Sequence, residues 1–345
     1  MAVEIAERVT AESVAPLSPG VDHLPAIPLV DIGDAGPAAL LDAERARIEA
    51  LFDAGARDYG ALLFNWGDRL SRRWLVRTRN PYLAELDVIA GIAGRPGGYL
   101  LNLSYEWFCT TGIGPDPATP GNRMLRTLDW GLEGLGRHVV VARQQGPAGS
   151  YFNVTWPGFV GIVTAMAPGR FSAALNQAPM RRSGLPLALD WLRNRFGVWR
   201  RDGLPPSHLL RRVFDQCGSF AEAKAWLCET PVCLPALFVL SGNEADEGCV
   251  IERLENRAVV HETPACVTNH WLTPGIEGTP RGVESYQRRD LMERLRDGVR
   301  DGFSWVTPPI LNACTRLAVI ANARSGRLEV QGWEANAPAT AVFRL

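Results

Sequence analysis

The chain is 345 residues long, 46% hydrophobic and 21% charged, with a net charge of -1. This describes a soluble globular protein with material for one large domain or two small ones, and the balanced charge removes any electrostatic case for nucleic acid as a partner. All of the 36 basic residues except Lys224 are arginine, which suggests a GC-rich bacterial genome and leaves little scope for lysine-based catalysis.

The stretch from Met1 to Leu17 carries acidic residues where a signal peptide carries basic ones, and no apolar segment follows it. No run reaches the length of a membrane-crossing helix. The seven cysteines, at 109, 217, 228, 233, 249, 266 and 314, are odd in number and lack the paired spacing of a zinc site. A reducing, cytoplasmic setting fits them, and the glycosylation triplets at Asn102 and Asn153 are then chance matches. No GxGxxG, Walker or HExxH pattern is present, so neither a cofactor nor a metal is expected.

Residues 1–35 are expected to form an extended lead-in rich in Pro and Gly, with a short strand at 27–32. Helical spacing of apolar residues begins after Pro37, over 38–54 and again over 82–92, and the second helix is expected to stop at the Gly94-Arg95-Pro96-Gly97-Gly98 cluster. Between them, residues 65–79 place Trp66, Leu70 and Trp74 at four-residue steps beside Arg69, Arg73 and Arg77. The favoured reading is a solvated face over core tryptophans. The alternative is a basic amphipathic helix on an anionic membrane surface.

After residue 109 the texture changes to alternation. Strands are expected at 123–130, 138–144, 151–156, 160–166 and 171–176, helices across 186–228, and further strands at 234–240, 249–253, 258–260, 266–271, 317–321, 328–333 and 340–344, interrupted by a helix at 285–299. Blocks of strands separated by blocks of helices suggest stacked sheets with helices outside them.

The stretch that organises the chain is Asn102 to Gly131, which sets Cys109 between an apolar segment and a small-residue strand, with Arg126 and Asp129 close behind. A thiol acts as a nucleophile only as thiolate, so it needs a base and neighbours that lower its pKa. None of the histidines, at 23, 138, 208, 261 and 270, forms a Cys/His protease signature with Cys109. If the chain is cut between Phe108 and Cys109, the new α-amino group, with a reference pKa near ~7.7, becomes the base for its own thiol. Arg126 and Asp129 are three apart and fall on opposite faces of a regular strand, so both reach one site only if the strand ends or bulges near Asp129.

The block Asn102-Leu103-Ser104-Tyr105-Glu106, Cys109-Thr110-Thr111 and Arg126-Thr127-Leu128-Asp129-Trp130 resembles the NLxYE, CTS and RNxD motifs of acid ceramidase and N-acylethanolamine-hydrolysing acid amidase. Trp156-Pro157-Gly158-Phe159, Gly161-Ile162-Val163-Thr164, Phe171 to Asn176 and Thr268-Asn269-His270 follow in the same order, so the resemblance covers roughly residues 85–290. Those enzymes are N-terminal-nucleophile hydrolases, related to the choloylglycine hydrolase and penicillin acylase group. The resemblance implies an α+β, four-layer αββα sandwich with an N-terminal, mainly helical segment: residues 1–108 would be the pro-segment or smaller subunit and 109–345 the catalytic one, the two staying associated after the cut. It also implies the site. Cys109 would be nucleophile and, through its amine, proton shuttle; Arg126 would stand beside the thiolate; Asp129 would hold the α-amine; Asn269 would donate to the oxyanion; and Arg288 would be the late arginine, with Arg281 and Arg289 as competitors.

Apolar positions around this block, Trp107, Trp130, Trp156 and Phe159, together with Asn176, are candidates for substrate binding, although each is as suited to a core. The implied activity is hydrolysis of an amphiphilic N-acyl amide, such as an N-acylethanolamine, with acyl transfer to another amine or an unprocessed lipid-binding protein as alternatives. Two departures stand out. The lysosomal relatives are secreted and glycosylated, and Asn176-Gln177 replaces their Asn-Glu, putting a neutral amide where they carry a titratable carboxyl.

Overall fold

The structure, a computed structural model, describes residues 24–345; the expected lead-in before residue 24 lies outside them. β1 (Leu29–Gly33) is followed by α1 (Pro37–Ala43) and α2 (Arg45–Tyr59), where spacing alone suggested one helix. The break is Glu44, whose φ of -128° and ψ of 38° leave the helix. Its carboxylate accepts from Arg47 at 2.8 Å and stands at the start of α2, the end where a negative charge is favourable.

The basic segment lies in α3 (Ala61–Arg77), and α4 (Leu83–Ala93) ends at Gly94 in the left-handed conformation, φ 63°. The glycine cluster stops α4 as expected, but the chain at once makes a further short helix, α5 (Gly98–Leu103). Asp68, on α3, explains it: one carboxylate oxygen accepts from the backbone N–H groups of Tyr99 and Leu100, both at 2.9 Å. These are orphan donors of the first turn, here capped from thirty residues away rather than by a neighbouring side chain.

The remaining elements are β2 (Trp107–Pro115), β3 (Asn122–Trp130), a 3-10 turn at Leu135–His138, β4 (Val140–Gly146), β5 (Gly149–Thr155), β6 (Thr164–Ala167), β7 (Phe171–Gln177), α6 (Leu187–Trp199), α7 (Pro206–Gln216), α8 (Phe220–Glu229), β8 (Ala236–Ser241), β9 (Gly248–Arg253), β10 (Ala258–Glu262), β11 (Ala265–Val267), α9 (Ser285–Leu295), β12 (Thr315–Asn322), β13 (Arg327–Glu334), β14 (Ala337–Pro338) and β15 (Phe343–Arg344). Among the described residues they build two sheets. One has the order β1-β4-β5-β6-β7-β8-β9-β10, with β1 parallel to β4; the other runs β11-β2-β3-β12-β13-β14, with β15 beside β13.

The sheets pack face to face, since Arg126 on β3 reaches the carbonyls of Val163 and Leu175 on the other sheet's side. α7 covers the outer face of the first sheet, where Phe214 meets Tyr151 and Phe171, and α9 covers the second, where Met292 lies against Gly112 of β2. This is an α+β sandwich with helices outside both sheets.

Three expected strands are shorter than their apolar runs, one of them 340–344, where only Phe343–Arg344 is strand. Only 164–166 of the 160–166 segment joins the sheet, because the buried Asn102 side chain takes the preceding backbone: its Nδ2 donates to Gly158 O and its Oδ1 accepts from Val160 N, both at 2.7 Å. Of 266–271 only the part to Val267 is strand. Thr268, Asn269 and His270 turn instead toward Ser285 at the start of α9.

Candidate active site

Cys109 is the third residue of β2, fully buried, in a strand that runs unbroken from Trp107. Strand alternation sends its thiol inward between the sheets, along with Thr111, while Phe108 and Thr110 face the α9 side. The expected cut therefore lies inside a paired strand, with Phe108 opposite Asp129 and Cys109 opposite Leu128 of β3.

Three groups of Cys109 are held from three directions. The Sγ receives a hydrogen bond from Arg126 Nη2 at 3.1 Å and lies 3.7 Å from Leu175 O. The backbone N–H donates to Asn269 Oδ1 at 2.8 Å, and the carbonyl oxygen accepts from Arg288 Nη1 at 2.8 Å. Arg288 also donates to Thr110 Oγ1 at 2.9 Å and to Asn269 Oδ1 at 3.2 Å, so one guanidinium ties the nucleophile's backbone to the asparagine. Asn269 Nδ2 donates to Gln177 O at 2.8 Å, which fixes the orientation of its amide.

Arg126 and Asp129 do lie on opposite faces of β3. Asp129 sits on the α9 side, its Oδ2 accepting from Asn312 Nδ2 at 2.9 Å and lying 3.7 Å from Arg288 Nη1, while its Oδ1 is buried without a hydrogen-bond partner. The irregularity in the sheet is on the neighbouring strand, β12, between Thr315 and Leu317. The two residues serve one site because the site straddles the sheet, with the thiol on one face, the peptide group in the plane and the carboxylate on the other.

Burial dominates the electrostatics. It pushes the Cys109 thiol up to about 11, against the pull of Arg126, so the thiol is protonated at neutral pH. It likewise raises the Asp129 carboxyl, opposed by Arg288, and lowers Arg126 and Arg288. Among the described residues no histidine is a partner of the thiol. His270 directly follows Asn269, but its Nδ1 bonds Ser285 Oγ at 2.9 Å and Thr268 Oγ1 at 3.0 Å, and burial lowers it to about 4.

Of the competing arginines, Arg288 is the one brought to Cys109. Arg281 Nε donates to Ala178 O, and Arg289 pairs with Glu293 at 2.7 Å. Trp107, Trp130 and Trp156 pack in a buried aromatic row, tilted and then edge to face, with ring centroids 5.3 and 6.4 Å apart, and Phe159 belongs to the same core cluster. Asn176 is a tie rather than an open polar group: it accepts from Thr111 Oγ1 at 2.9 Å and donates to the carbonyls of Val267 and Thr268. A cleft of about 140 Å³ opens elsewhere, between the β1–α1 turn, β4 and α7, with none of the site residues in its walls.

Motif reading missed Ser285 and Asn312. Ser285 Oγ accepts from Asn269 N at 3.1 Å and bonds Thr268 and His270, so it holds the triplet in its turn. Asn312 carries no local signal; only the fold brings it to Asp129.

Compared with known proteins, the chain is 30% identical to acid ceramidase of Heterocephalus glaber over 194 residues and 31% identical to that of Mus musculus over 195. Each match covers 50% of this chain and 47% or 48% of the relative, so the chain spans about half the length of the curated relatives it matches. No family model matches. Among solved structures, a Caenorhabditis elegans ortholog of N-acylethanolamine-hydrolyzing acid amidase superposes with a TM-score of 0.47 at 20% identity, over 62% of this chain and 92% of that one. Penicillin V acylase from Agrobacterium tumefaciens gives 0.38 at 15% identity, over 69% and 86%. The resemblance to the acid ceramidase group first seen in short motifs is thus a similarity of continuous sequence over half the chain.

Proposed function

We propose that this chain is an N-terminal-nucleophile amide hydrolase that cuts itself between Phe108 and Cys109 and then hydrolyses N-acyl amides through a thioester on Cys109. One observation carries the proposal: the nucleophile's thiol, N–H and carbonyl are each gripped by a different buried side chain, yet no base stands at the thiol among the described residues. A cut at its own amide supplies the missing amine. The Cys109 Sγ adds to the Phe108 carbonyl carbon, the C–N bond breaks as the nitrogen takes a proton, and water hydrolyses the resulting thioester, leaving Phe108 as a carboxylate and Cys109 with a free thiol and amine.

In turnover the same steps act on substrate. The amine takes the thiol proton and passes it to the leaving amine, Arg126 stabilises the thiolate, and Asn269 Nδ2, on leaving the Gln177 carbonyl, donates to the developing oxyanion. The acyl half is apolar, a fatty-acyl chain being the class that the ceramidase-like sequence favours, and water is the acceptor.

Intact-protein mass tests the first half: fragments of 108 and 237 residues should appear on incubation in wild type and never in Cys109→Ala. A full-length mass in both after incubation across the pH range would sink it. The pieces should elute together, because Asn80 bonds His208 and Glu85 pairs with Arg211 across the cut. For turnover, kcat/KM over a series of N-acyl amides should climb with acyl length, each buried methylene being worth about 0.8 kcal/mol, and then level off. A flat series removes the fatty-acyl assignment, and dominant, saturable transfer to an added amine makes the protein an acyltransferase.

A further inference from the structure

The cleft between the β1–α1 turn, β4 and α7 shares no residue with the candidate active site, and its walls hold polar atoms that the fold leaves unsatisfied. Val140 and Ala142 of β4 cluster with Leu40 of α1, so strand alternation puts Gln144 on the same outer face of the sheet, in the wall of the cleft. Gln144 is only 3% exposed, yet neither atom of its carboxamide has a hydrogen-bond partner among the described residues. Its cross-strand neighbour Tyr151 has one: the hydroxyl donates to Asp215 Oδ1 on α7 at 2.7 Å.

Arg211, one turn before Asp215, is fixed by its surroundings. Its Nη1 donates to Glu85 and to Val160 O, and the guanidinium lies over the Tyr82 ring, 4.4 Å from the centroid. Its Nε is buried without a hydrogen-bond partner, 3.7 Å from Asp215 Oδ2 and so beyond hydrogen-bond reach of it. Two donors, Gln144 Nε2 and Arg211 Nε, and two acceptors, Gln144 Oε1 and Asp215 Oδ2, thus border one cleft of about 140 Å³, against the ~10–15 Å³ that one water needs. Charge in the walls is mixed. Arg211 stands with Asp34 and Asp215, Glu85 lies behind it, and Arg170, which also acts on Asp215, donates to the carbonyls of Phe214 and Cys217.

We propose that this cleft binds a small zwitterion, an α-amino acid whose side chain is no larger than a methyl or hydroxymethyl group. Its carboxylate accepts from Gln144 Nε2 and Arg211 Nε, and its ammonium donates to Gln144 Oε1 and Asp215 Oδ2, so each unsatisfied atom gains a partner of the right kind. The match holds whichever way round the Gln144 amide is placed. A simple anion would leave both acceptors bare and face Asp34 and Asp215. A simple cation would leave both donors bare and face Arg211. Burial raises the Asp215 carboxyl, a cost that an ammonium group beside it offsets.

Calorimetric titration of the full chain at neutral pH with L-alanine, propionate and ethylamine tests this. L-Alanine should bind saturably, with a Kd in the millimolar range or tighter, and propionate and ethylamine, which each carry one of its charges, about tenfold more weakly or worse. Gln144→Leu replaces the unpartnered carboxamide by an apolar side chain of similar size. It should weaken L-alanine binding by about tenfold or more, while the ligand-free melting temperature stays the same or rises because a buried unsatisfied amide is gone. Asp215→Asn keeps an acceptor for Tyr151 and should weaken L-alanine more than propionate. No saturable binding of L-alanine, equally tight binding of propionate or of ethylamine, or L-alanine binding unchanged in either variant would overturn the proposal.

Discussion

The sulfur, nitrogen and carbonyl oxygen of Cys109 are held by Arg126, Asn269 and Arg288, which arrive from β3, the turn after β11 and α9. Their types were legible from motif order, but not their division of labour. That Asp129 lies on the opposite face of the sheet, and that Asn269 Oδ1 accepts from the Cys109 nitrogen, follows from pairing and turn geometry. Gln177 shows what a single residue decides here. Its Nε2 donates to Tyr105 O, three residues before the expected cut, and its carbonyl accepts from Asn269. An amide can donate at any pH, whereas a carboxyl can donate only when protonated. Gln177→Glu should therefore slow self-cleavage at neutral pH and restore it as pH falls through the new carboxyl's pKa, which burial will raise above ~4.3. Fragment yield against pH measures this, and a variant that cleaves at the wild-type rate at pH 7 would show that the bond to Tyr105 does not position the strand. Asn269→Ala should abolish or slow the cut and lower kcat by roughly 10² to 10³ with less change in KM; an effect on KM alone would make it a substrate-positioning residue.

β2 and α9 act as one element of the site. Arg288 and Met292 are one turn apart on α9, and Met292 lies so close to β2 that a Cβ on Gly112 would meet its Cγ at 2.8 Å and Sδ at 2.9 Å. Gly112 is thus the position that lets α9 approach near enough for Arg288 to reach the Cys109 carbonyl. Gly112→Ala should cost about 1–3 kcal/mol through overpacking and should slow cleavage more than the stability loss accounts for, since it displaces the helix that carries the guanidinium. Thermal melts together with a cleavage time course separate the two effects; a lowered melting temperature with cleavage at the wild-type rate would mean that Arg288 adapts. A similar dependence on distant elements explains α5. Local residues propose a stop at Gly94, which occurs, but the next helix forms because Asp68 caps it from α3.

At the scale of the molecule, burial sets the pH response. His208 joins the two sides of the proposed cut, its Nδ1 bonded to Asn80 Nδ2 at 3.1 Å, and burial lowers its pKa to about 3. The unfolded chain protonates it near ~6.5, so between those values the unfolded state binds the extra proton. Stability is full above pH ~6.5 and is lost as pH falls toward 3, and His270, lowered to about 4, adds with the same sign. In a Cys109→Ala background, kept uncut, His208→Gln should reduce the slope of unfolding free energy between pH 6 and 4 by about 1.4 kcal/mol per unit; an unchanged slope would place the acid sensitivity elsewhere. The sequence by itself determined what local chemistry and periodicity encode: the soluble composition, the stop at Gly94, the alternating strands, the ordered motifs around Cys109 and the opposite facing of Arg126 and Asp129. Tertiary structure alone decided which distant groups those residues meet. Asn102 keeps 160–163 out of the expected strand, Ser285 turns Thr268–His270 away from the sheet, Asn312 finds Asp129, and Trp66 is left in solvent while Trp74 enters the core. The physical reason is common to all of these: spacing states which side chains share a face, but the partner that face meets comes from elsewhere in the chain, and a buried polar group takes its conformation from the partner that satisfies it.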